Sequence, residues 1–185
     1  MTVEQAFYFK IMLICGCSDE LFEYIENTLN EQASYEEVIV DLAFCGYNEK
    51  QMLSVLESYI RQKKEKVDYD VIIESIFNFL QNKYLDSETS VEALVKLMYR
   101  IGQLSELNSE EEEPWFTMRI FHSLYEDSEE GYIDKDGYLA CLKSFIFERE
   151  YCSDFQIYKP VKQLRIKTYL QNLINRLKLK LQKGR

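Results

Sequence analysis

The sequence predicts an all-α protein, and three observations carry that expectation. Apolar residues recur every three or four positions almost throughout, the period of a helix with one buried face, and no stretch alternates convincingly as a strand does. Only 6 glycines and 2 prolines interrupt 185 residues. A hydrophobic content of 46%, with 14% aromatic, is enough to build a core and sets the chain apart from disordered ones. A chain of this length suits one domain and buries roughly 70% of the surface it exposes when unfolded.

The helices follow in order. The first runs from Val3 to Cys15 and stops at Gly16; "AFYFKIMLICGC" within it is apolar on every side, which reads as a buried helix. Lys10 interrupts an apolar run of about eight residues, short of the roughly 20 that span a membrane, and Glu4 stands where a secretory leader carries positive charge. Ser18 caps a helix bearing Leu21, Phe22, Ile25 and Leu29. "SYEE", Ser34 to Glu37, fits a capping box, and the helix after it carries Val38, Ile39, Leu42 and Ala43 as far as Gly46. Asn48 caps the next, with Met52, Leu53, Leu56, Tyr59 and Ile60 on one side and a cationic end at Arg61 to Lys66. Asp68 or Asp70 opens a helix through Ile72, Ile76, Phe77 and Leu80. "DSETS", Asp86 to Ser90, turns into one with Leu94, Val95, Met98 and Ile101. An acidic connector spans Ser105 to Glu113. Pro114 suits the first turn of a helix through Phe116, Phe121 and Leu124. An acidic loop follows, then a helix from about Asp136 with Tyr138, Leu142, Phe145 and Ile146. Pro160 opens the last, with Leu164, Leu170, Leu177 and Leu181. The expected architecture is therefore a single domain of eight or nine antiparallel helices, a bundle or a short HEAT-like solenoid.

Charge divides the chain. All 32 acidic residues lie at or before Asp154 with 13 of the 22 basic ones, a net charge of −19; the other 9 basic residues fall between Lys159 and Arg185 with no acid among them. Residues 1–154 read as an acidic helical body and 155–185 as a basic C-terminal helix packed on it by attraction. The same tail, cationic and amphipathic, also suits an anionic membrane or RNA. An acidic body repels nucleic acid and anionic lipid and attracts basic proteins. The partner expected is thus a basic protein, with no direct nucleic-acid contact and no membrane span. Five cysteines, odd in number and irregular in spacing, point to reduced thiols in the cytoplasm.

No catalytic constellation stands out. "EDSEEGYIDKDG", Glu126 to Gly137, mimics a 12-residue calcium loop, but it begins with Glu126 and ends on Gly137 where calcium affinity needs a bidentate glutamate. It reads as an acidic turn. His122 is the only histidine and has no nucleophile placed for it by spacing. Cys15-Gly16-Cys17 is one pair with no second pair, and neither a Glu-x-x-His motif nor a glycine-rich phosphate loop is present. The expectation is a protein without catalytic residues, metal or cofactor.

What remains is a binding surface. "NSEEEEPWFTM" sets four glutamates before the only tryptophan, where the positive pole of a helix favours acid. Glu110, Glu111, Glu112 and Glu113, Trp115 as an aromatic anchor, and Asp127, Glu129, Glu130, Asp134 and Asp136 of the following loop form the candidate partner-binding set. The alternative for Trp115 is a ring buried in the core beside solvated glutamates. The two acidic segments flank one helix and join only if neighbouring helices curl around.

Two stretches, "GCSDELFEYIENTLNEQASYEEVIVDLAFCGYNEKQMLSVLESYI" from Gly16 to Ile60 and "EEPWFTMRIFHSLYED" from Glu112 to Asp127, resemble a bacterial family of small acidic helical proteins of unknown function. Genes of that family lie beside polymorphic toxins, and its members are taken to be immunity factors. The resemblance rests on helix patterning over about a third of the chain and carries over no site residue. It implies a non-enzymatic inhibitor that neutralises a basic toxin, one acting on nucleic acid. A phage or host nucleic-acid mimic, of the anti-CRISPR kind, is the second reading, and an enzyme with carboxylate chemistry the third.

Overall fold

The computed structural model describes residues 1–31, 36–63, 67–104 and 113–151. Over these it forms eight helices and no strand: α1 (Val3–Ile14), α2 (Asp19–Glu31), α3 (Glu37–Phe44), α4 (Glu49–Lys63), α5 (Tyr69–Leu85), α6 (Val91–Gly102), α7 (Trp115–Glu129) and α8 (Lys135–Glu148). The basic segment 155–185 expected to pack on the body lies outside the described residues, as does the helix expected after Pro160.

Helix starts follow the polar residues that satisfy their free backbone amides. Asn48 accepts from the amide of Gln51 at 3.2 Å, Asp68 from that of Asp70 at 3.1 Å, and Ser90 from that of Ala93 at 3.1 Å. Asp134 accepts from Gly137 at 2.8 Å, so α8 begins one residue before the expected Asp136. The reciprocal capping box is found at α1, where Thr2 and Gln5 bond each other's amides. The box expected at Ser34–Glu37 cannot be followed to its start, because Ser34 lies outside the described residues; α3 begins at Glu37, with the extended Glu36 at the N-cap making no side-chain capping bond, its carboxylate instead accepting from the Met1 ammonium at 2.9 Å.

α1 is the inner helix. Val3 and every residue from Ala6 to Leu13 are buried, because a helix apolar all round must be covered all round. It packs chiefly on α4 and also on α5. Even Lys10 is only 8% exposed; its ammonium lies 3.4 Å from Glu57 of α4 and 5.7 Å from the Phe7 ring centroid. α2 stands further out, burying only Leu21 and Ile25, and packs on α3, which packs on α4.

The C-terminal half is an aromatic core. Phe145 of α8 stacks against Phe77 of α5 and Phe121 of α7, with ring centroids 5.2 and 5.3 Å away. Tyr138 meets Phe121 edge-on and donates its hydroxyl to the Phe121 carbonyl, which satisfies a phenol that is 1% exposed. The most extensive helix pair is α6 with α7. Gly102 permits it: a Cβ there would come 2.8 Å from the Trp115 carbonyl oxygen and 2.9 Å from Arg119 Cγ. Arg119 closes the contact by donating to the Gly102 carbonyl at 2.8 Å. No described helix is long and apolar enough to cross a membrane.

Candidate functional site

Trp115 belongs to the core. Its ring is 3% exposed, on the face of α7 that meets α6, so it cannot serve as a surface anchor in this conformation. The local reason is the close approach at Gly102, which draws the first turn of α7 onto α6. Glu110, Glu111 and Glu112 lie outside the described residues. Glu113 is exposed, and its carboxylate accepts from the Thr117 amide at 3.3 Å, a bond internal to the helix start.

The acidic loop after α7 is also occupied with its own folding. Asp134 caps α8, and Glu129 holds Lys135 at 2.5 Å. Asp127 is half-buried, and its carbonyl accepts from the Tyr132 amide at 2.8 Å, folding the loop back so that Ile133 enters the core at 2% exposure. Glu130 and Asp136 remain as exposed carboxylates. α7, with 15 residues, separates Glu113 from this loop by about 22 Å at 1.5 Å per residue. The structure therefore does not bring the two segments together along α7. Among the described residues no group of three or more His, Cys, Asp or Glu could hold a metal ion.

Exposed acid and exposed aromatic surface coincide elsewhere. Between Lys10 and Lys50 the chain has nine carboxylates and no Lys or Arg. All but Glu49, which opens α4, lie on α2, on α3 or at the α3 N-cap, where Glu23, Glu26, Glu31, Glu36, Glu37 and Asp41 are all exposed. At the α3–α4 turn Phe44 is 85% and Tyr47 86% exposed, by far the barest large apolar side chains among the described residues. Glu37, Asp41 and Phe44 recur at i, i+4 and i+7, one stripe of α3. Tyr47 is steadied from behind by Phe22 of α2, edge-on at 5.1 Å. Beside the stripe, between α3 and α4, runs an open groove of about 810 Å³. Glu36, Glu37 and Asp41 form one wall and Ser54, Ser58 and Gln62 the other, over a floor of Val38, Val55 and Tyr59. Lys63 closes one end and sits 5.2 Å from the Tyr59 ring centroid, so that ring already accepts a cation on its face.

The sequence held one signal for this face: a stretch of carboxylates without a single base, ending in two aromatics around a glycine. The glutamate run beside the tryptophan is the denser acidic signal. Periodicity alone assigned Phe44 to no face, because a helix end can be covered or bare with the same spacing.

The remaining reactive groups are quiet. His122 is half-buried against Tyr99, ring centroids 5.1 Å apart, with Glu126 at 4.0 Å. Burial pushes the Cys15 thiol up to about 12, and burial likewise raises Cys17, Cys45 and Cys141, so all four stay protonated near neutrality. Burial, with the Glu20 carboxylate that its hydroxyl bonds, raises the Tyr8 phenol.

No family model, no curated protein and no solved structure matches this chain.

Proposed function

We infer that the protein is a non-enzymatic inhibitor that binds a basic protein partner, in the manner of an immunity factor neutralising a nucleic-acid-acting toxin. One observation carries this reading: the acidic face of α2 and α3, whose stretch of chain has no Lys or Arg and on which, among the described residues, Glu36 alone meets a cation, the Met1 ammonium, ends in Phe44 and Tyr47, two aromatic side chains left almost fully bare. Solvated acid alone needs no partner. Adjacent aromatics exposed on the same edge are the composition of an interface centre, where a buried ring supplies affinity and surrounding charge supplies orientation and encounter rate. A cleft that holds a polyanion is basic, so an acidic face with apolar contacts at its edge fits it by charge.

The test pairs the protein with the product of the gene adjacent to its own in the genome. Co-expression should relieve that product's toxicity, and the two should co-purify at low salt. Phe44→Ser with Tyr47→Ser should weaken the complex at least about tenfold, and Glu37→Lys with Asp41→Lys should slow association in a salt-dependent way. Undiminished binding in both double variants removes the face from the reading. Turnover of a small substrate by the purified protein removes the reading itself.

A further inference from the structure

A separate hollow lies at the turn after α1, and the charged residues that line it are all basic. The turn after α1, the last turn of α5 and the exposed side of α6 enclose a hollow of about 350 Å³, within the roughly 300–1,000 Å³ of small-molecule sites. Lys83, Lys96 and Arg100 line it, and no carboxylate does, in a body otherwise dominated by acid. Lys96 and Arg100 are one turn apart on α6 and so share a side; Lys83 reaches in from α5.

The cations differ in how they are satisfied. Lys96 pairs with Glu92 at 2.6 Å. Lys83 rests 5.6 Å from the Phe79 ring centroid, and at longer range its charge acts on the Asp86 carboxylate, but it has no ion-pair partner within 4 Å among the described residues. Arg100 has none either; a single guanidinium nitrogen donates to the Cys15 carbonyl at 3.3 Å, and the rest of the fork is left unbonded. Gly16 borders the hollow. Its φ of +77° favours glycine, and a Cβ there would meet nothing nearer than Arg100 Nη1 at 4.0 Å. Leu94 and Leu97 make an aliphatic side. Across Lys83 a second hollow, about 390 Å³, is lined by Asp19, Glu20 and Asp86, which confines an anion to the α6 side.

We propose that this hollow binds a phosphate dianion, held between Lys83 and Arg100 with any organic body against the half-buried Leu97. Two unpaired positive charges match a dianion, and the planar guanidinium presents paired donors in the geometry of phosphate oxygens. The site is independent of the α2–α3 face, so the two readings fail separately.

The experiment is a titration of the full chain with inorganic phosphate and with phenyl phosphate at low ionic strength, followed by amide NMR. Saturable shifts are expected at residues 16–17 and 94–100. Tighter binding of phenyl phosphate identifies a phosphate monoester as the ligand class, and equal binding identifies the free ion. Lys83→Gln should weaken binding about tenfold or more, and Arg100→Lys, which keeps the charge but loses the fork, should weaken it as well. Lys143→Gln, the same charge change at an exposed site on α8, should leave binding unchanged. Bound phenyl phosphate should also slow alkylation of Cys17 and not of Cys141. Absence of saturation with both probes, or equal loss in Lys143→Gln, overturns the proposal.

Discussion

In the C-terminal half the aromatic side chains turn inward and the carboxylates bond to their own backbone or to a neighbouring lysine. Phe77, Phe121, Tyr138 and Phe145 are at most 1% exposed, Asp134 caps a helix and Glu129 is paired. In α2 and α3 the pattern is reversed. Phe44 and Tyr47 stand in solvent, and the carboxylates around them have no base in their own stretch of chain. The same residue types thus support folding in one region and are largely left available in the other, where Glu36 pairs with the Met1 ammonium and Glu20 accepts from the Tyr8 hydroxyl. Composition along the chain does not separate the two uses; what each side chain touches does.

The largest effect that could break this contrast is on stability. Phe145→Ala removes a ring shared by three helices and should cost roughly 3–5 kcal/mol in denaturant unfolding, whereas Phe44→Ala should stay within about 0.5 kcal/mol of the parent. A costly Phe44→Ala would mean that the bare ring supports the fold after all. Gly102→Val comes next. Its Cβ would press on the Trp115 carbonyl, which is backbone and yields little, so a loss of about 1–3 kcal/mol is expected, with near-ultraviolet dichroism of the single tryptophan altered. Asp134→Ala should cost about 1 kcal/mol through the lost cap, while Asp41→Ala should cost almost nothing. Thermal melts of the pair would sharpen the distinction between acid used for structure and acid held in reserve.

The last effect vanishes at neutral pH and is confined to alkaline solution. Burial raises the Cys15 thiol from 9.0 to about 12, so above pH 9 the unfolded chain gives up a proton that the folded one keeps. Folding is therefore favoured less as pH rises from 9 toward 12. Tyr8 and Tyr138, both raised by burial, extend the decline above pH 10. Cys15→Ala should lessen the slope between pH 9 and 10, measured as the urea midpoint against pH, with Cys17, Cys45 and Cys141, also raised by burial, supplying the remainder.

Much of the fold was legible in the residues. The all-round apolar character of α1 announced an inner helix, and Asn48, Asp68 and Ser90 announced helix starts, because caps and periodicity are local signals. The direction of Trp115 was not legible. It depends on Gly102, thirteen residues upstream, being small enough for α7 to settle against α6. Nor was the site at Gly16 and Arg100, which joins residues more than eighty positions apart. Such meetings follow from packing, and no window along the chain contains them.

α5 touches α1 on one side and α6 and α8 on the other, and Gln81 in its last two turns ties to the Ile146 carbonyl at 3.0 Å. A rod that both halves lean on gives neither a way to melt alone. Amide protons in its middle, around Ile76 and Phe77, should be the slowest of all to exchange with deuterium, released only when the whole molecule opens.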